Sequence, residues 1–141
     1  MTEHNAATVR AIEEAWDKGR LDDLDQHFAQ DFNNSQSAVP GVPAGLAGAK
    51  MAHQGVMQSF PDRKVEILDL ISEGDDVFVR TRVTGSNQGG FPLFNVAANG
   101  NPIDIQSWGV YRFRDGKVVE HVGGNDGLML LMQLGAFPPQ G

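Results

Sequence analysis

Hydrophobic spacing divides the chain into a helical first half and a strand-like second half. Apolar residues recur at three- and four-residue intervals over residues 5–18, which predicts an amphipathic helix that ends at Gly19. A short second helix is predicted next, and a third over residues 46–59, before Pro61. Residues 31–48, rich in Asn, Ser, Pro and Gly, predict an irregular connection. The apolar positions of the first two helices are Val9, Ile12, Ala15 and Trp16, then Leu21, Leu24 and Phe28.

The second half of the chain predicts two antiparallel hairpins. Residues 64–72 and 77–84 are strand-like segments joined by a short turn, and residues 103–114 and 117–123 are joined by Asp115-Gly116. Helices followed by an antiparallel meander are typical of the α+β class.

Two further segments complete the predicted order. Residues 85–102 hold many turn formers around an apolar cluster that includes Phe91 and Phe94, and they predict a lid or a pocket wall. A short apolar helix is predicted over residues 128–134.

Length and composition limit the class of protein. The chain has 141 residues, 40% hydrophobic and 21% charged, which suits one folded domain over residues 1–141. Acidic residues exceed basic ones by 18 to 11, and a net charge of -7 argues against nucleic acid or an anionic membrane as a partner. Because the chain has no long apolar run, no signal-peptide pattern and no cysteine, a cytoplasmic location is expected.

Several segments resemble one known family in the same order along the chain. Together they are similar to SnoaL-like polyketide cyclases over nearly the whole sequence. The resemblance implies a cone-shaped α+β barrel, in which N-terminal helices pack on a curved, mostly antiparallel sheet with a short C-terminal helix. It also implies a homodimer or a higher homo-oligomer. The segments are IEEAWDKGRLD at 12–22, FAQDF at 28–32, Phe60-Pro61-Asp62, EGD at 73–75, TRVTG at 81–85, YRFRDGKVVEH at 111–121, Asp126 and LMQLG at 131–135.

The resemblance implies a cofactor-independent enzyme, a polyketide cyclase-like lyase or isomerase, acting on a small hydrophobic carbonyl or polyketide-like compound. A carboxylate would remove a proton from the carbon next to a carbonyl, and the resulting enolate would close a ring by aldol attack. Two alternatives stay open: a small-molecule binding module without turnover, and epoxide hydrolysis or isomerisation on the same fold. The four histidines are isolated in sequence, which predicts no metal site.

Three residues are the predicted catalytic groups. The resemblance places the acid/base carboxylate of the family at Asp126, although a residue there can equally cap the closing helix. His121 lies on a predicted strand and can protonate a substrate oxygen or serve as hydrogen-bonded structure. Arg112 can stabilise an enolate charge or form a salt bridge to Glu120 or Asp104.

The last hairpin decides which side chains share a sheet face. A three-residue loop with a glycine bulge puts Asp104, Gln106 and Trp108 on the predicted ligand face. It puts His121 and Tyr111 on the opposite face, which is a candidate packing or subunit surface. A two-residue turn puts His121 beside Trp108 and Arg112 instead.

The remaining predicted ligand contacts come from several parts of the chain. Trp108 and Trp16 are candidate aromatic walls, with core packing as the alternative. Asn33 stands where family members often carry a His after an Asp-Phe pair, and His53 lies on the third helix. The full predicted substrate-binding set is Trp108, Gln106, Asp104, Trp16, Asn33, His53, Phe91 and Phe94.

Overall fold

The computed structural model describes residues 2–34 and 41–137. It forms a mixed α+β fold in which helices pack on one curved, open five-stranded sheet, and this confirms the predicted fold class. The helices are α1 (Thr2–Lys18), α2 (Gly45–Ser59) and α3 (Gly127–Gln133), with 3-10 turns at Leu21–His27 and Pro92–Phe94. The strands are β1 (Phe28–Asn34), β2 (Lys64–Glu73), β3 (Asp76–Ser86), β4 (Pro102–Arg114) and β5 (Lys117–Asn125). No helix in this part of the chain is both long and apolar enough to span a bilayer.

The first helix follows its apolar spacing. Val9, Ile12 and Ala15 are buried against the sheet, and the helix ends at Lys18, just before Gly19, which adopts a positive φ of 69°. Glycine adopts this left-handed conformation without the steric cost that a Cβ imposes.

The sheet has the order β1-β5-β4-β3-β2, antiparallel except for the β1–β5 pair. Its inner face, which packs toward the helices, carries the odd-numbered β4 residues Ile103, Ile105, Tyr111 and Phe113, all of which are buried. Its outer face carries the even-numbered residues, which are mostly exposed because side chains alternate along a strand.

The first edge strand was not predicted. Phe28 was assigned to a short helix and residues 31–48 to an irregular connection, but residues 28–34 form β1 beside β5. The spacing of Phe28 and Phe32 fits a helix, but residues four apart also share one face of a strand. Both rings are buried in the core, with ring centroids 4.7 Å apart. Residues 35–40 of the predicted connection lie outside the described residues.

The last hairpin combines features of both predicted registers. Asp115 and Gly116 form a two-residue turn with positive φ at both positions, so Arg114 pairs with Lys117. A bulge then shifts the register by one residue, because Arg112 pairs with Glu120 while Phe113 pairs with Val118. The bulge therefore places His121 opposite Tyr111 rather than beside Trp108 and Arg112.

Candidate active site

The candidate site is a cavity of about 570 Å³ between the helices and the inner face of the sheet. Most of its wall is apolar, with aromatic and aliphatic side chains from α1, α2, β3 and β4. The titratable side chains that line it are Glu13, His53, Arg63, Tyr111 and His121. A mostly apolar pocket with a few converging polar groups is the usual form of a small-molecule site.

A carboxyl and a phenol meet at the sheet side of the cavity. Glu13 extends from α1, and the Tyr111 hydroxyl donates a hydrogen bond to its Oε1 at 2.9 Å. Burial raises the pKa of Glu13 from 4.5 to about 6, and the bond from Tyr111 opposes that rise. Burial, with the nearby Glu13 charge, raises the pKa of Tyr111 well above 10, so this hydroxyl stays protonated at neutral pH.

His121 lies next to this pair. Its ring centroid is 4.4 Å from that of Tyr111, and burial lowers its pKa to about 4, so the imidazole is neutral near pH 7. The ring can lie there because its neighbour on β4 is a glycine: a Cβ built on Gly109 would lie 2.5 Å from His121 Nε2.

A second group of polar side chains, Arg63 and His53, lies on the side of the cavity formed by α1 and α2. Arg63 Nη2 donates to the backbone oxygens of Trp16 and Asp17 and lies 2.9 Å from His53 Nε2. Burial, followed by the charge of Arg63, lowers the pKa of His53 to about 4. The Trp16 side chain adjoins both polar groups. Its ring centroid lies 4.6 Å from that of His53, and its interaction with the Tyr111 hydroxyl opposes the rise in the pKa of Tyr111.

The structure brings five of the predicted site residues to this cavity: Trp16, His53, Phe91, Trp108 and His121. Phe94 is stacked behind Phe91, with ring centroids 5.4 Å apart, and is itself half exposed. Trp108 borders the cavity, but its side chain belongs to the outer face, where it is 42% exposed and covers Gly124.

The other predicted residues lie away from the cavity, and the prediction that Asp104 and Gln106 face a ligand pocket is wrong. Asp104 accepts two hydrogen bonds from Arg82, and Gln106 accepts one from Arg80, all on the outer face. Arg112 is exposed on that face, with Asp76 and Glu120 at 3.6 Å. Asn33 is exposed on β1, beside Glu120. The pocket instead uses the face that was predicted to pack or to bind a subunit.

Asp126 is exposed at the start of α3, where its Oδ1 accepts a hydrogen bond from the Met129 amide at 3.1 Å. This is the helix-capping arrangement that was the alternative to a catalytic role. Asp126 does not line the cavity, although its neighbour Asn125 does.

Sequence reasoning missed Glu13, Arg63 and Tyr111 as site residues. One signal was available for Glu13, because Val9, Glu13 and Trp16 are spaced by four and three residues and therefore share one helix face. A carboxylate on that apolar stripe indicates either that the stripe is not the buried face of the helix or that the carboxylate is a buried functional acid. In the described part of the chain, no group of three or more His, Cys, Asp or Glu side chains is arranged to hold a metal ion.

Comparison with known proteins identifies a family and a fold. A family model described as SnoaL-like polyketide cyclase matches residues 6–134. The structure of AclR from Streptomyces galilaeus, a proposed hydroxylase, is similar with a TM-score of 0.83 and 26% identity, over 100% of this chain and 91% of that one. Wild-type IdmH from Streptomyces antibioticus, a proposed polyketide cyclase, has a TM-score of 0.79 and 27% identity, over 94% and 99% of the two chains. A search of curated proteins found no match.

Proposed function

Because the chain belongs to the SnoaL-like polyketide cyclase family, we propose that its cavity binds a small hydrophobic carbonyl compound and that Glu13 transfers protons to and from it. The observation that carries this proposal is the buried carboxyl of Glu13, held by Tyr111 in an apolar cavity, with its pKa raised to about 6. A general base works best when its pKa lies near the operating pH. The Glu13 carboxylate therefore has both the position and the basicity that abstraction of a carbon-bound proton requires.

The proposed reaction begins when the Glu13 carboxylate takes a proton from the carbon next to the substrate carbonyl. The electron pair of that C–H bond forms an enolate, whose oxygen needs a hydrogen-bond donor. We assign this role to His121, which is neutral near pH 7 and lies beside Tyr111. The enolate carbon then attacks a second carbonyl carbon of the same molecule, and the new alkoxide recovers the proton from Glu13.

Tyr111 positions the base in this scheme. Its hydroxyl donates to Glu13, which fixes the carboxyl orientation and limits the rise in its pKa. Since Tyr111 stays protonated at neutral pH, it keeps this donor role through the reaction.

The test is hydrogen–deuterium exchange of 2-tetralone, a cyclic enolisable ketone, followed by NMR in heavy water. We expect catalysed exchange by the wild-type chain and a loss of about 10²- to 10⁴-fold in Glu13→Gln. The matched control is Glu14→Gln, on the same helix, because Glu14 is exposed and paired with Lys18. Exchange should rise with pH through about 6 and then level, as Glu13 becomes ionised.

Two results would overturn the proposal. If exchange were unchanged in Glu13→Gln, another group would be the base. If the wild-type chain shifted the ligand signals without catalysing exchange of any enolisable ketone, the cavity would be a binding module without turnover. The predicted homodimer, the cytoplasmic location and the absence of a cofactor stay predictions.

A further inference from the structure

Arg63 is a buried cation in the cavity wall that the proposed proton transfer does not use. Only 9% of the residue is exposed, and it lines the same cavity as Glu13. Its Nη2 atom contacts the backbone oxygens of Trp16 and Asp17 and the imidazole of His53, all of them neutral groups at pH 7.

The charge of Arg63 has no close ionic partner. Within residues 2–34 and 41–137, no carboxylate lies within 4.0 Å of its guanidinium. Asp17 is the nearby acid that acts on it electrostatically, but the Oδ1 atom of Asp17 accepts a hydrogen bond from the Val65 amide at 2.8 Å. By contrast, Arg80, Arg82 and Arg114 each contact a carboxylate at 2.6–2.8 Å.

One nitrogen of this guanidinium also lacks a hydrogen-bond acceptor. Arg63 Nε is buried and has no partner in the described part of the chain. Buried polar atoms are nearly always hydrogen-bonded, and a buried charge without a counter-charge costs free energy. A role as a C-terminal cap for α1 accounts for Nη2, which contacts the last carbonyls of that helix, but leaves Nε and the missing counter-charge unexplained.

We infer that the natural ligand carries an anionic oxygen group, such as a carboxylate, which Arg63 binds while the ring of the ligand lies along Trp16 toward Glu13. This inference rests on the proposed function, because it assumes that the cavity holds the substrate. Trp16 adjoins both His53, which contacts Arg63, and Tyr111, which contacts Glu13. One planar molecule lying along Trp16 would therefore place the carbon next to its carbonyl at Glu13 and its anionic group at Arg63. The ligand class is thus an acidic cyclic carbonyl compound.

The overall charge of the protein cannot produce such a preference. The chain carries a net charge of -7, and its long-range field opposes the binding of an anion. Any preference for an acid over its neutral analogue must come from a local cation, and guanidinium–carboxylate hydrogen bonds are strong enough to supply it.

The test compares two probes that differ by one carboxyl group, 2-acetylnaphthalene and 6-acetyl-2-naphthoic acid, by calorimetric titration at pH 7. We expect the wild-type chain to bind the acid about tenfold or more tightly than the neutral ketone. In Arg63→Gln the two dissociation constants should become equal within about twofold, through weaker binding of the acid only. Arg82→Gln is the matched control, because it removes the same charge from the outer face and should keep the wild-type ratio.

The outcomes separate this inference from the proposed function. If the wild-type chain binds the neutral ketone and shows no preference for the acid, the inference is wrong and the ligand cavity stands. If neither probe binds, the ligand cavity and the inference both fail. A preference that persists in Arg63→Gln would assign the anion site to another residue and overturn the role of Arg63. Should Arg63→Gln not fold, Arg63→Lys must retain a preference for the acid, and its absence there would also count against the inference.

Discussion

The inner and outer faces of β4 carry different kinds of polar side chain. On the outer face, Asp104 is exposed and paired with Arg82, and the hydrogen bonds from that guanidinium lower its pKa. On the inner face, burial raises the pKa of Tyr111 and of the Glu13 carboxyl that it contacts. The outer face has more charges, but each is solvated and neutralised by a neighbour. A reactive group needs the reverse, a single carboxyl removed from water.

The largest expected effect is a loss of stability that differs between two glycines, Gly109 on the inner face of the sheet and Gly124 beside Trp108 on the outer face. Gly109→Ala should lower the free energy of unfolding by about 2–3 kcal/mol, because its Cβ would lie 2.5 Å from His121 Nε2 and 3.2 Å from the Val122 oxygen. Gly124→Ala is the control, since its Cβ would meet only the Trp108 ring, at the ordinary contact distances of 3.5 Å to Nε1 and 3.9 Å to Cε2. We expect that change to stay within about 0.5 kcal/mol of wild type in urea unfolding. Equal losses in both variants would contradict the assignment of His121 to the inner face.

The second prediction concerns acid sensitivity. His53 and His121 have pKa values near 4 in the folded protein and 6.5 as the ordinary value, so the unfolded chain binds more protons between these limits. Stability contributed by both residues is therefore lost as the pH falls from 6.5 toward 4. Glu13 acts in the opposite direction between pH 4.5 and 6, because its folded pKa is raised.

Together, the two histidines change the free energy of unfolding with pH by more than Glu13 does in the opposite direction. We expect the free energy of unfolding to fall by about 2 kcal/mol between pH 7 and pH 5, measured by urea unfolding. His121→Gln should remove roughly half of the histidine contribution. A stability that rises on acidification over this range would show that Glu13 dominates and that the histidines are accessible to water.

The difference between the faces also explains which parts of the molecule were predictable from sequence. The helices over 5–18 and 46–59 and both hairpins follow from spacing and turn residues, which act locally. The edge strand β1 does not, because Phe28 and Phe32 are spaced as in a helix and the strand exists through pairing with the distant β5. Its formation depends on tertiary contacts rather than on local preference.

The site was less predictable than the fold for a related reason. A bulge beside Val118 and Glu120 determines the face on which His121 lies, and nothing in the local sequence specifies a one-residue bulge. The outer-face residues Asp104 and Gln106 were chosen for their polarity, whereas Tyr111 was assigned to packing. The polarity of a side chain does not show whether it is solvated, so the sequence could not distinguish a paired surface carboxylate from a buried one.

The third prediction is a smaller loss of stability when the Tyr111 hydroxyl, which donates to Glu13 of α1, is removed. Tyr111→Phe should lower the free energy of unfolding by about 1–2 kcal/mol, because it leaves the buried Glu13 carboxyl without its donor. It should also raise the pKa of Glu13 further above 6, since the lost bond favours the ionised form. NMR titration of carbon-13-labelled glutamate measures this shift. An unchanged pKa would mean that the bond does not hold the base.

The smallest effects are expected at Asp126, outside the cavity. Asp126→Asn should change the free energy of unfolding by only a few tenths of a kcal/mol, because asparagine also accepts the Met129 amide, whereas Asp126→Ala should cost about 0.5–1 kcal/mol. Exchange of 2-tetralone should be unaffected in Asp126→Asn. A variant that kept its stability but lost exchange would contradict the distinction between the two faces, since an exposed capping carboxylate would then perform the chemistry assigned to Glu13. The conservative substitution separates the two roles because it preserves the cap and removes only the carboxylate that could act as a base.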